Sequence, residues 1–307
     1  MSNPPLDLSV VVLNFNTREH LRTCLTSLRT EGSTTLSRAD APIAAELLVV
    51  DNASSDGSAD MVETDFPGAT LIRSPFNGGF AHGNNQALRR ARGRAVLLLN
   101  PDAEVPPGAI GTLVQQLDAH PEAAVIGPKL LRKDGSIHRA CRRAFPTPSA
   151  ALYRFTGLAR LFPRSPVFGR YNLTYLDPDL EIEVDAVCGA CMLVRRQAIY
   201  QVGLLDERFF MYGEDLDWCW RMKEAGWTVR YLPSVVVRHQ HGVAGRKRPL
   251  LATFHFFRAM DLFYRKHYAR RYNPLVTAAV VTGIYTALVV SLVRLALTPG
   301  QPSRVGL

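Results

Sequence analysis

A chain of 307 residues with 47% apolar composition is long enough to bury a sizeable core, and it is neither disordered nor fibrous. Lysine and arginine outnumber aspartate and glutamate by 36 to 27, a net charge of +9 that favours anionic partners such as phosphates, nucleic acid or a membrane surface. Five scattered cysteines (Cys24, Cys141, Cys188, Cys191 and Cys219) make an odd set, which speaks against a disulfide scaffold and for a reducing compartment. The start, MSNPPLDLSVVVLNF, has no basic region and only a brief apolar run before Asn14, so a cleaved signal peptide is not expected.

Short apolar runs then alternate with helix-period segments. LSVVVLNF is followed by TREHLRTCLTSL, AELLVVDN by a helix from about Gly57, TLIRS by GFAHGNNQALRRAR, and AVLLLN closes the first hundred residues. Continuous Val and Leu runs of this length predict strands buried on both faces, hence an α/β fold with a mostly parallel sheet flanked by helices. Each run ends in polar residues: Asn14–Asn16, Asp51-Asn52 and Asn100-Pro101-Asp102. Ligands of open α/β sheets bind at the carboxyl ends of strands, so these clusters are expected to converge on one crevice, although Asn and Asp also serve as caps and turn formers. The first turn, NFNTREHL, lacks the GxGxxG that brings a backbone against a dinucleotide, and no nucleic-acid-binding module is recognisable.

Between Gly135 and Val184 proline, arginine and aromatic residues accumulate, as in CRRAFPTPS and YRFTGLARLFPRSPVFGRYN, which predicts a basic, aromatic binding surface or a merely variable insertion. EVDAVCGACMLVRR resumes a buried strand; its CxxC has no second pair for zinc and no helix behind it, so its cysteines are expected to be structural. FFMYGEDLDWCWR then begins a helix between Gly213 and Gly226, in which Glu214 and Asp217 share a face, Asp215 points elsewhere, and Asp217 can pair with Arg221. These acids either simply suit a helix N-terminus or supply a partly desolvated general base. Asp102, at a strand end, suits a divalent metal, with Glu104 near enough to assist and His239 a strand-end imidazole. The tail HFFRAMDLFYRKHYARRYNP is aromatic and basic, and Leu275–Val293 carries no charge: it is expected to span, dip into or lie on a membrane, or to pack as an ordinary helix.

Taken together, LSVVVLNFN, LLVVDNASSDGSADMV, NGGFAHGNNQALRRARG, LLLNPDAEV, GACMLVRRQAIYQVGLLDERFFMYGEDLDWCWRMKEAGW and VVVRHQHG resemble the inverting, GT-A fold glycosyltransferases of family 2, and look most like the rhamnosyltransferase-like branch, over about residues 8 to 242. The resemblance implies a GT-A domain over residues 1–250, with a donor half to about 105 and an acceptor half after it, and a helical, membrane-associating region over 251–307. It implies a donor pocket of Leu13, Asn14, Asp51, Asn52, Asn77, Gly78, Gly79, Asn84 and Asn100. It further implies an acceptor side of Glu214, Asp217 and Trp218, Asp215 as catalytic base, and Asp102 with His239 as ligands of Mg²⁺ or Mn²⁺. Where the family's metal motif opens with Asp, this chain has Asn100. The implied reaction moves a sugar, with dTDP-β-L-rhamnose the favoured donor, onto a lipid-linked diphosphosaccharide or other glycan at the cytoplasmic face of the cell membrane. Another donor such as UDP-galactofuranose or a UDP-hexose, or a catalytically silent binding relative, are the alternatives; nucleic acid is not an expected partner, and an oligomer is compatible with the sequence.

Overall fold

The computed structural model describes residues 6–28, 36–37, 42–240 and 248–297. Its frame is a nine-stranded sheet. β1 (Leu8–Asn14) lies at the centre of one half, buried at all seven positions, between β4 (Ala45–Asp51) and β6 (Ala95–Leu99), both parallel to it. A two-residue pair, β2 (Leu36–Ser37) and β3 (Pro42–Ile43), precedes β4 outside this sheet, and β5 (Thr70–Arg73) extends the parallel edge beyond β4. Helices α1 (Arg18–Leu28), α2 (Ser58–Asp65) and α3 (Gly79–Leu88) make the crossovers. In α1 the buried residues Leu21, Cys24 and Leu25 fall at the helical spacing that lays one stripe on the sheet.

The second half departs from parallel order. After β7 (Ala103–Glu104) and α4 (Ala109–Ala119) the chain forms β8 (Ala123–Leu131), then α5 (Pro148–Phe155), α6 (Leu158–Leu161) and β9 (Ile182–Glu183). β10 (Cys191–Arg195) runs antiparallel between β6 and β8, and β11 (Thr228–His239), parallel to β8, carries β7 and β9 antiparallel on it. Of the expected strand over EVDAVCGACMLVRR only Cys191–Arg195 forms, as β10; the part before it is the end of β9 and a loop. β8 carries Gly127-Pro128, punctuation that masks a strand in sequence; Pro128 is tolerated because it pairs with Leu232 beside the register shift between Leu232 and Val236.

Helices α7 (Arg196–Val202) and α8 (Glu214–Glu224) follow β10, and the chain ends in α9 (Pro249–His267) and α10 (Pro274–Leu297). α9 joins the main core through Ala259, Phe263 and Tyr264, whereas α10 touches the rest mainly through Ile284 and Leu288, which pack on Phe257 of α9. α10 is long and apolar enough to cross a membrane: 24 residues at a helical rise give about 36 Å. Residues 241–242 of the HQHG run and 298–307 of the tail lie outside the described residues.

Candidate active site

The parallel strands β1, β4, β6 and β11 end on the same side of the sheet, and antiparallel β10 begins there, because Cys191 pairs with Leu99. A cavity of about 520 Å³ opens at that edge. Its walls include Leu13, Asn52, Asn77, Gly79, Asn100, Asp102, Glu214, Asp215 and His239. All of these were singled out in the sequence.

The other strand-end residues stand one layer behind. Asn14 and Asp51 are buried in register on β1 and β4, where Asn14 Nδ2 donates to Asp51 Oδ1 at 3.1 Å. They lock two strand ends and so fix the wall residues after them, Phe15 and Asn52. Asn52 is a hub: its Nδ2 donates to Asn77 Oδ1 (2.9 Å) and to the Gly79 carbonyl (3.2 Å), and its Oδ1 accepts from the Gly78 N–H (3.4 Å). Gly79 sits at φ +87°, and a Cβ there would lie 2.3 Å from the Phe210 carbonyl, which also accepts from Phe80 N at 2.6 Å. Only glycine permits that approach, which ties the Asn77–Gly79 turn to the loop leading into α8. Gly78 and Asn84 are off the cavity wall; Asn84 donates to the Phe80 carbonyl at 2.9 Å and helps shape α3.

At the second corner, β7 pairs with the end of β11 and sets His239 opposite Ala103. His239 Nε2 thereby stands 3.1 Å from Asp102 Oδ1 and 3.2 Å from Asn100 Nδ2. Burial resists ionisation of Asp102, but the hydrogen bond and charge of His239 outweigh it and hold the carboxyl below the usual range. Among the described residues no group of three or more His, Cys, Asp and Glu forms a ready-made metal cage. A carboxylate oxygen beside an imidazole nitrogen nevertheless fits a divalent cation that completes its coordination with ligand oxygens. Glu104, the next acid along, is not on the cavity wall.

The third corner is the start of α8. Tyr212 (φ 70°) and Gly213 (φ 84°) form a left-handed turn that delivers Glu214 and Asp215 to the cavity at the helix N-terminus. Asp215 Oδ2 accepts from Arg143 Nη2 (2.6 Å) and Gly189 N (3.0 Å), and its Oδ1 accepts from Leu216 N (2.7 Å). These donors fix the carboxylate's orientation and leave lone pairs for a ligand hydroxyl. Glu214 is 6% exposed, and its Oε2 is buried without a hydrogen-bond partner. Burial first, and the neighbouring Asp215 charge second, push its carboxyl up to about 8, which favours the neutral form.

The expected acceptor-side placement of Asp217 and Trp218 is corrected by the geometry. Both are fully buried and off the cavity wall. Asp217 accepts from Arg221 (2.9 Å) and faces Lys266 (2.6 Å) and His267 (2.8 Å), clasping α8 to α9, while Trp218 Nε1 donates to the Gly203 carbonyl at 2.9 Å. Sequence reasoning did not single out Arg143, His138, Arg139 or Arg154, which also line the cavity. They belong to the basic, aromatic segment noted above, but nothing in that segment distinguishes Arg143 from its neighbours. The five cysteines are free thiols; burial pushes Cys188 and Cys191 up to about 12, and Cys188 reaches the cavity wall.

With this geometry in view, comparison with known proteins is specific. The family model for glycosyl transferase family 2 matches residues 9–203. The chain is 30% identical over 243 residues, 76% of its length and 75% of the relative's, to the N-acetylglucosaminyl-diphospho-decaprenol L-rhamnosyltransferase of Mycobacterium tuberculosis. It is 28% identical over 222 residues, 71% of its length and 62% of the relative's, to a low-salt glycan biosynthesis hexosyltransferase of Haloferax volcanii. Among solved structures, a mannosyltransferase from Pyrobaculum calidifontis in complex with GDP-Man and Mn²⁺ superposes with a TM-score of 0.54 at 19% identity, covering 96% of this chain and 81% of that one. GalNAc-T7 with UDP, GalNAc and Mn²⁺ gives a TM-score of 0.53 at 15% identity, covering 78% of this chain and 44% of that one. The fold is GT-A, and the chain belongs to glycosyltransferase family 2.

Proposed function

We propose that the chain is an inverting glycosyltransferase that moves L-rhamnose from dTDP-β-L-rhamnose onto a hydroxyl of a lipid-linked diphosphosaccharide at the cytoplasmic face of the membrane. The observation that carries the reading is one cavity holding three functions: Asn52 at the end of β4 with Asn77 of the turn before α3, the Asp102–His239 pair, and the fixed carboxylate of Asp215. The rhamnosyl donor and lipid-linked acceptor are argued from the Mycobacterium tuberculosis relative.

In this reading the nucleotide lies along the ends of β1, β4 and β6, held by Asn52 and the Asn77–Gly79 turn. The acceptor hydroxyl faces Asp215. As its proton passes to an Asp215 oxygen, the hydroxyl oxygen bonds the anomeric carbon from the face opposite the diphosphate, the carbon–oxygen bond to the diphosphate breaks, and configuration inverts. Arg143 and the Gly189 N–H hold Asp215 in place; Glu214, as a neutral acid, donates to the acceptor. Arg139 and Arg154 complement the negative charge of the two diphosphates. Asp102 and His239 are the residues that would hold Mg²⁺ or Mn²⁺, which when bound neutralises charge on the departing nucleoside diphosphate.

The Haloferax relative, a hexosyltransferase, favours a second reading in which the sugar moved is a hexose, with UDP-hexose or UDP-galactofuranose as the donor to try. Incubating the purified chain with dTDP-rhamnose, UDP-galactofuranose or UDP-glucose, an N-acetylglucosaminyl diphosphate lipid and Mn²⁺, with products read by mass, decides between them. A deoxyhexose added from dTDP-rhamnose supports the first reading. A hexose added in its place supports the second, and no transfer from any of the three counts against both.

A further inference from the structure

The helices α5 and α6 have no buried residue, yet they are not polar. Leu152, Phe155, Leu161 and Phe162 are all exposed, between 46% and 69%. Leu250, Leu251 and Phe254 on the first turns of α9 are exposed as well. Apolar residues scattered over a surface require no explanation, but these sit on neighbouring elements: Phe155 of α5 stacks on the buried Phe257 of α9 at 6.0 Å, and Phe257 packs against Ile284 and Leu288 of α10. The exposed apolar residues of α5 and of the first turns of α9 thus flank the packing that holds the membrane-length helix α10.

Around α5, α6 and the first turns of α9 the charge has a single sign. Residues 136–176 contain seven arginines and no aspartate or glutamate, and Arg160, Arg164, Arg248 and Arg258 are exposed around the apolar residues. Two copies of the face brought together would set arginine against arginine, whereas interface cores are depleted of charge. An anionic lipid surface satisfies both features, taking apolar side chains at the acyl boundary and guanidinium groups at the headgroups. The inner side of the same elements is the outer wall of the cavity, through Ala151, Arg154 and Phe155 of α5 and Leu251, Ala252 and Phe256 of α9.

We propose that α5, α6 and the first turns of α9 form a second membrane-contact surface beside α10, which rests the mouth of the active-site cavity on the bilayer. The lipid contact stands on the exposed residues and their charge; that the acceptor enters from the bilayer rests on the proposed lipid-linked substrate. The apolar chain of such an acceptor stays in the membrane while its diphosphate and sugar pass between α5 and α9 to reach Asp215.

The test uses the full chain on vesicles of mixed phosphatidylcholine and phosphatidylglycerol and requires no turnover, so it is independent of the sugar-transfer reading. An environment-sensitive fluorophore is attached at Leu161→Cys, at Val290→Cys on α10 and at Tyr200→Cys, with unsubstituted protein correcting for native thiols. Tyr200 is an exposed position on α7, at the opposite end of the sheet. The expected result is a blue shift and quenching by spin-labelled lipid at positions 161 and 290 and none at 200, with the response at 161 lessened when phosphatidylglycerol is omitted. Quenching at 290 alone overturns the proposal while leaving α10 as an anchor; quenching at neither overturns both. A blue shift at 161 that grows with protein concentration without vesicles overturns it in favour of a second copy of the chain.

Discussion

Glu214→Gln changes one oxygen for a nitrogen and removes one ionisation. In the folded chain Glu214 faces Asp215, Arg143, Asp217 and Tyr212; burial and the Asp215 charge raise its pKa from 4.5 to about 8. A carboxyl whose folded pKa is raised costs stability as pH rises: nothing is lost below the unfolded value, and the penalty grows from about pH 4.5 until it levels off near 8. At pH 7 the penalty is about 1.4 kcal/mol per unit over roughly 2.5 units, on the order of 3 kcal/mol. Glutamine fills the same volume and remains neutral. The variant is therefore more stable than the parent at pH 7 to 8, with the difference closing towards pH 4.5. Urea unfolding of both proteins in detergent, at a series of pH values between these limits, measures it. Parallel stability curves, or a variant less stable than the parent at pH 8, would refute the assignment of a protonated Glu214.

Four further perturbations follow from the geometry. Asp217→Asn leaves Lys266, Arg221 and His267 without their carboxylate and is expected to cost roughly 3–5 kcal/mol, seen as a lower thermal midpoint. Burial opposes and these partners lower the Asp217 pKa, so its contribution is present above the unfolded carboxylate range and is lost as pH falls through the lowered folded value; in the variant that acid-side loss disappears. Gly79→Ala at φ +87° meets the Phe210 carbonyl, and backbone strain alone costs roughly 1–3 kcal/mol; the expected readouts are lower stability and a raised donor KM, and an unaltered protein would contradict the contact. Chelation is expected to abolish transfer and added Mn²⁺ to restore it, whereas Asp102→Ala requires far more metal for the same rate; a variant with the parent's metal requirement removes Asp102 from the site.

The half of the site built from consecutive strands was legible because its signal is local. A buried Val and Leu run ending in Asn or Asp announces both a strand and its carboxyl end, and three of them announce the crevice. Which residue of each cluster faces the ligand was not legible: Asn14 and Asp51 turn towards each other, and Asn52 faces the cavity instead. Arg143 reaches Asp215 across 72 residues, and Asp217 meets His267 across 50, separations at which spacing carries no information. Trp218, placed on the acceptor side only by the resemblance, has its indole spent on the Gly203 carbonyl in the core. The antiparallel insertion of β10 was also hidden, because a buried apolar strand has the same composition in either direction.

Asp215→Asn tests the mechanism most directly. The substitution preserves shape and removes the basic oxygen, and donor binding by calorimetry on the folded variant separates loss of chemistry from loss of the Arg143 contact. The variant is expected to bind the donor nucleotide sugar as the parent does while kcat for transfer falls by roughly 10²–10⁴. Turnover at the parental rate in a variant that binds donor normally would contradict it.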